Sequence, residues 1–203
     1  MKIIEQSFKF TQKPGYNQTL ETIDQAARTC YQSEPKGDKE SFIRQLIKAG
    51  HESVIEHVNI GVEIITDRGI SHELVRHRIG ASYSQESSRY CSYIKQKFGS
   101  EIKVILPSGI TGGSPEYLKW EAAMKNAENS YMNLLELGLS AQIARSVLPT
   151  CLATTIHVTL NLRSWRHFFK LRTSPRAHPD MRKLAIDMLQ EFRQLWPVFF
   201  KDI

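Results

Sequence analysis

Apolar and polar positions alternate along residues 2–10, and again through Val58, Ile60, Val62 and Ile64, which predicts two strands with one buried face each. Residues 20–32 (LETIDQAARTCYQ) repeat their apolar positions at helical spacing and stop at SEPKGD. Asp38 is placed to cap a second helix, with Phe42, Leu46 and Ile47 on one face and Gly50 at its end. Residues 68–78 read as helix, KVIL (103–106) as a short strand, and PSGITGGSP as the loop after it. A long helix follows over 115–137, then a shorter one over 141–147 that Pro149 ends. The dense β-branched residues of 152–162 predict a strand, and helices over 163–171 and 178–195 finish the chain. No repeat, low-complexity tract or clear linker interrupts this order. Strands and helices mixed without a regular βαβ alternation predict an α+β fold. A length of 203 residues suits one domain, 1–203, long enough to bury roughly 70% of its unfolded surface.

Composition adds limits rather than a function. Hydrophobic residues at 41% and charged residues at 24% are ordinary for a globular chain and exclude a disordered one. The net charge of +6 admits nucleic acid as a partner, but a nucleotide or folate explains it equally well, and no basic arm is visible. Cys30, Cys91 and Cys151 are scattered, form no CxxC pair, and fit a reducing cytoplasm. Lys2, Glu5 and Lys9 break up the first ten residues, so no signal peptide is expected. No stretch approaches the ~20 apolar residues needed to span a bilayer. The expectation is a cytoplasmic protein without a membrane partner.

Candidate chemistry concentrates in Arg76-His77-Arg78 and the SYSQESSRY segment (82–90), read as a helix end opening into a loop. A core would have to partner every one of those polar groups. An anionic, planar, acceptor-rich ligand suits them better, because arginine offers a rigid fork to phosphate or to uracil-like carbonyls. An Arg-His-Arg triplet alone is more often a solvated loop; the whole string reverses that balance. A metal is not expected: His51 and His57 in HESVIEH are six residues apart, which puts them on opposite sides of a helix, whereas a helical zinc pair is spaced by four. No GxGxxG follows a strand, which excludes a Rossmann flavoprotein. Cys91 lies beside Arg89, but a bystander thiol is the commoner case. Ser87 has no adjacent base to activate it.

Arg-His-Arg, eight residues, Ser87, one residue and Arg89 resembles the signature of the flavin-dependent thymidylate synthases. GHESVIEH (50–57), ARSVLP (144–149) and NLRSWRHFFKLR (161–172) resemble the other blocks of that family in the same order, so the resemblance spans about residues 27–172. It implies an α+β subunit with a central, mainly antiparallel sheet flanked by helices, in a homotetramer whose active sites are shared between subunits. The implied reaction is reductive methylation of dUMP to dTMP. FAD is the cofactor, 5,10-methylenetetrahydrofolate the carbon donor and NADPH the reductant; hydride passes directly from reduced flavin, without an enzymic cysteine adduct.

By the same resemblance, Ser53, Arg76, His77, Arg78, Gln85, Asn161, Arg163 and His167 are expected to contact the flavin, with His51 and Glu56 beside them. Glu73, Arg76, Gln85, Ser87, Arg89, Arg145 and Arg172 are expected to contact dUMP. Arg172 is the expected catalytic group. It stays protonated, so it would favour negative charge on the pyrimidine edge rather than act as a base. Plainer readings stand beside these. Asn161 and Arg163 suit a strand end and helix start, His167 a helix surface, and Phe168, Phe169 and Leu171 the core. The chain departs from the family pattern at Glu73, where relatives frequently carry an amide, in the longer gap after Arg78, and at Cys30, where serine is frequent. Two rivals remain: a relative that keeps flavin but has lost methyl transfer, and a nucleic-acid-binding protein. The second would stack bases on Tyr83, Tyr90 and Tyr93 and explains the charge, but not HESVIEH or Asn161–Arg163.

Overall fold

The first alternating segment divides between two sheets. In the computed structural model, which describes residues 1–30, 32–34, 37–91, 93 and 101–203, β1 (Lys2–Ile4) and β2 (Ser7–Gln12) are separate strands. β1 pairs in parallel with β5 (Lys103–Ile105), Lys2 opposite Lys103 and Ile4 opposite Ile105. β3 (Asn59–Asp67), β4 (Ala81–Gln85) and β6 (Ala153–Asn161) join β2 in a four-stranded antiparallel sheet of order β2-β3-β6-β4. The fold is therefore α+β, as the mixed pattern predicts. β4 corrects the loop expected over SYSQESSRY: Ala81, Tyr83 and Gln85 are half-buried while Ser82 and Ser84 are exposed. The alternation is present, but hydroxyls and an amide on the inner face conceal it.

The helices follow their caps. α1 (Tyr16–Thr29) starts before the expected position 20, and Tyr31 of the expected helix lies outside the described residues. The Asp38 carboxylate accepts the Ser41 N–H at 2.9 Å and starts α2 (Lys39–Lys48), which buries Ile43 and Ile47 more deeply than Phe42 and Leu46. Past its end, Gly50 takes a φ of +80°, and a 3-10 helix (Glu52–His57) leads into β3. Asp67 caps α3 (Arg68–Leu74) by accepting the Ile70 N–H at 2.7 Å. That helix ends at its last buried apolar anchor, Leu74, so Arg76-His77-Arg78 lies beyond the helix rather than at its end.

Ser114 caps α4 (Pro115–Glu136). The helix expected over 141–147 is a short α5 (Ala141–Ala144) continued by one 3-10 turn (Arg145–Val147). α6 (Leu162–Arg172) and α7 (Pro179–Leu195) match expectation, and α8 (Pro197–Phe200) adds a final turn.

The chain forms two compact units. The first comprises Met1–Ser7, Ile64–Leu74 and Ser84–Ile156, and its core joins Ile102, Val104, Tyr131, Ala144 and Leu152. The second comprises Phe8–Glu63, Val75–Tyr83 and His157–Ile203. Its core is aromatic: Trp165 stacks on Phe169 at 5.7 Å, and Phe169 meets Phe192 edge-on at 4.9 Å. Each such fully buried ring contributes on the order of 2–3 kcal/mol by area alone. Trp165 remains satisfied because its indole N–H donates to the Ile60 carbonyl at 3.0 Å. Among the described residues, no helix is long and apolar enough to cross a membrane.

Candidate active site

α6 organises the second unit's cavity. The Asn161 side-chain oxygen accepts the Ser164 N–H at 2.8 Å and fixes the helix start, so Asn161 is first of all a cap. Leu162, Trp165, Phe168 and Phe169 then face the core, which turns Arg163, His167, Lys170 and Leu171 the other way. These four, with Arg172 and Ser164, line one wall of a cavity of about 660 Å³. Arg76, His77, Arg78 and Ile79 form another wall, and Glu52 and Glu56 of the 3-10 helix a third. Leu171 corrects the expectation of a core residue: it is half-exposed on the cavity side. Ser53 and His51 are exposed and Asn161 is half-buried, and all three lie outside this lining.

Charge in the cavity is arranged in layers. Five permanent cations face two carboxylates. The Arg163 guanidinium donates to Glu56 at 2.6 Å. Glu52 accepts from Arg166 Nε at 3.1 Å and lies 3.9 Å from Lys170 Nζ. Arg166 is buried behind the wall, where an unpaired cation would be costly. It is compensated by a two-pronged pairing with Asp202 at 2.7 and 2.6 Å, and it also donates to the Phe199 carbonyl. Arg166, Glu52 and Lys170 are not among the residues expected from the sequence. The available signal was Arg166 standing four residues after Leu162 and one after Trp165, a charge on an apolar face.

The Arg-His-Arg turn is locked onto α6. Arg172 Nε donates to His77 Nε2 at 2.9 Å, so that ring nitrogen is an acceptor and the imidazole proton is assigned to Nδ1. Burial, then the charges of Arg172 and His167, push His77 from 6.5 down to about 4. Its ring packs edge-on against Phe168 at 5.1 Å. Ser164 Oγ donates to the Ile79 carbonyl at 2.8 Å. Gly80 follows with a φ of +63°, and a Cβ there would lie 2.6 Å from Asn161 Nδ2. Only glycine fits both requirements.

The remaining expected residues belong to the first unit. Gln85 Nε2 donates to Ser71 Oγ at 2.8 Å and to Thr154 Oγ1 at 3.2 Å, which uses its donors within the unit. Ser87 opens a turn, its carbonyl accepting from Tyr90 and Cys91 N–H groups. Arg89 Nε donates to Gln142 Oε1 at 2.9 Å, and Arg145 donates to Ser88 Oγ at 3.3 Å. Ser87, Arg89 and Arg145 are thus brought to one place, where the 86–90 segment meets α5. Glu73 is half-buried on α3.

Of the three tyrosines in the stacking stripe, Tyr93 is 6% exposed and bonded to Glu86, and Tyr83 donates to the His77 carbonyl. Only Tyr90 is widely exposed. Burial pushes the Cys151 thiol up to about 11, and all three cysteines are free thiols. No group of three His, Cys, Asp or Glu placed to hold a metal ion occurs among the described residues.

Residues 15–198 match the family described as thymidylate synthase complementing protein. The chain belongs to this family. Similar members include the flavin-dependent thymidylate synthase of Geobacter sulfurreducens, 37% identical over 188 residues, covering 87% of this chain and 78% of that one. The Pyrococcus furiosus flavin-dependent thymidylate synthase is 34% identical over 192 residues, covering 90% and 75%. A UMP/dUMP methylase, PolB from Streptomyces cacaoi, solved with 5-Br dUMP bound, has the same fold. It superposes with a TM-score of 0.82 at 23% identity, over 99% of this chain and 96% of that one. The family match runs through both compact units, so neither is an unrelated addition.

Proposed function

We propose that the chain is a flavin-dependent thymidylate synthase, a methyltransferase that converts dUMP to dTMP with 5,10-methylenetetrahydrofolate as carbon donor and NADPH as reductant. The observation that carries this reading is the second unit's cavity, which Arg76, Arg78 and Arg163 line together with Arg172 held on His77. Family membership supports it, as do the names of the relatives. The reading extends to residues 1–203 as one domain, to a cytoplasmic homotetramer, and to active sites shared between its subunits.

The residues present fit FAD. A diphosphate needs several fixed cations, and guanidinium groups match it in two-pronged fashion. A flat ring needs an apolar or aromatic face, which Ile79, Leu171 and His167 provide along the same cavity. Arg76, Arg78 and Arg163 would hold the phosphates, and His77 and His167 would stand against the ring. Bound and reduced, the flavin supplies the hydride.

The chain's own groups do the rest. Arg172 places a permanent positive charge on the pyrimidine's N3–C4–O4 edge and favours the charge distribution that makes C5 nucleophilic. A preorganised donor of this kind is worth roughly 3 kcal/mol. His77 holds Arg172 in place by accepting from Nε. Ser87, Arg89 and Arg145 supply hydroxyl and cations suited to the dUMP phosphate. The proposed route uses no cysteine, and Cys151, its thiol pushed up by burial, is a poor nucleophile at neutral pH.

The test is turnover by the purified chain with FAD, dUMP, methylenetetrahydrofolate and NADPH. We expect dTMP, and none when any one component is omitted. A yellow, FAD-loaded chain that makes no dTMP would instead identify a relative that has lost methyl transfer. A colourless chain that ignores FAD would remove the reading altogether.

A further inference from the structure

Arg89 is exposed, and a long exposed cation ordinarily samples many rotamers, which costs entropy when it must meet an anion. Here Gln142 Oε1 accepts its Nε–H at 2.9 Å, and the guanidinium lies 5.4 Å from the Tyr90 ring centroid. The neighbouring α5 region makes a second tie to the same segment, from Arg145 to Ser88 Oγ at 3.3 Å. Ser88 is 5% exposed, so that contact anchors the segment from below. The partner chosen for Arg89 is a neutral amide. A carboxylate at the same place would hold the fork equally well but discharge it.

We propose that Gln142 is a positioning residue for the nucleotide phosphate: it aims the Arg89 fork while leaving its charge for the substrate. This rests on the reading of Arg89 as a phosphate contact. Spending Nε–H on Gln142 leaves the two terminal NH2 groups for phosphate oxygens, the geometry in which arginine binds most selectively. Gln142 then governs how strongly the enzyme prefers a phosphorylated nucleoside, without touching the reacting ring.

The test compares the FAD-loaded full chain with Gln142→Ala, Gln142→Glu, Arg89→Ala and the Arg89→Ala/Gln142→Ala double variant. Affinity for dUMP and for deoxyuridine, which lacks the phosphate, is measured alongside KM and kcat. Gln142→Ala is expected to raise KM for dUMP roughly five- to tenfold with kcat changed by less than about twofold, the scale of one ordinary hydrogen bond. Gln142→Glu, nearly isosteric, should raise it at least as much by pairing with Arg89. Deoxyuridine affinity should be equal in all variants, and the double variant should be no worse than Arg89→Ala. If Arg89→Ala weakens dUMP but Gln142→Glu binds it normally, or if the two losses add fully, Gln142 has no positioning role. If Arg89→Ala binds dUMP normally, the phosphate assignment of Arg89 is wrong and the proposal falls with it.

Discussion

The cavity of the second unit and the 86–90 segment of the first hold similar side chains by opposite means. Around the cavity, the cations carried by α6 are fixed by built supports. Arg163 is tied to Glu56, Arg172 to His77, and Arg166 lies behind Glu52 in a buried ion-pair network. An aromatic core of Trp165, Phe168, Phe169 and Phe192 backs the helix that carries them. In the 86–90 segment, Arg89 is steadied by one exposed amide and Arg145 by one hydroxyl. A large cofactor held through repeated turnovers is served by a rigid, prepaid site. A substrate that enters and leaves in each cycle is served by a lighter hold. Substitutions should therefore hurt most at the deep supports of the cavity and less in the segment.

The largest effect should come from Arg172→Ala. We expect dTMP formation to fall by about a hundredfold or more, the scale of one preorganised donor, with FAD still bound. Arg172→Lys should rescue weakly, because a point charge lacks the fork. Near-normal turnover of Arg172→Ala at saturating dUMP would remove its catalytic role.

A smaller effect is expected from replacing Cys30, Cys91 and Cys151 together by Ser or Ala. Stability should fall by a few kcal/mol at most, chiefly at the half-buried Cys91 and Cys151, and turnover should persist. An FAD-loaded Cys91→Ala chain without activity would return a covalent thiol mechanism.

The smallest effect concerns acid. His77 binds its proton at about 4 when folded against an ordinary 6.5, so between those values the unfolded chain takes up more protons. Its contribution to stability is complete above 6.5 and is lost as pH falls toward 4. Denaturant midpoints across that window should drop less steeply in His77→Gln. Equal slopes would mean that His77 is not held neutral by Arg172 and its burial.

The sequence made the long-range order legible and the local joints less so. β3, α4, α6 and α7 follow from apolar spacing and caps, because their buried faces are unmistakably apolar. β4 escaped because Gln85 faces inward onto Ser71 and Thr154, a polar pairing that no hydrophobic pattern reveals. Arg76, His77, Arg78, Arg163 and His167, expected as flavin contacts, line one cavity, and Arg172, expected at dUMP instead, lines the same cavity. Glu52 and Lys170 escape the sequence because Glu52 acts by pairing with Arg166 and Lys170 by lying against Glu52, while the burial of Arg166 depends on Asp202, 36 residues away. Leu171 shows the reverse error: an apolar residue next to two core phenylalanines was read as core although its helical position turns it to the cavity.

The proposed arrangement puts flavin in the cavity of the second unit and the nucleotide phosphate on the 86–90 segment of the first. FAD titration, followed by visible absorbance, tests it most directly when run on two double variants. Arg78→Ala/Arg163→Ala should weaken FAD at least about tenfold, the loss of one to two charge-assisted bonds. Ser87→Ala/Arg89→Ala should keep FAD affinity within about twofold while losing dUMP. Unchanged FAD affinity in the cavity variant, or a large loss of FAD in the segment variant, would contradict the account.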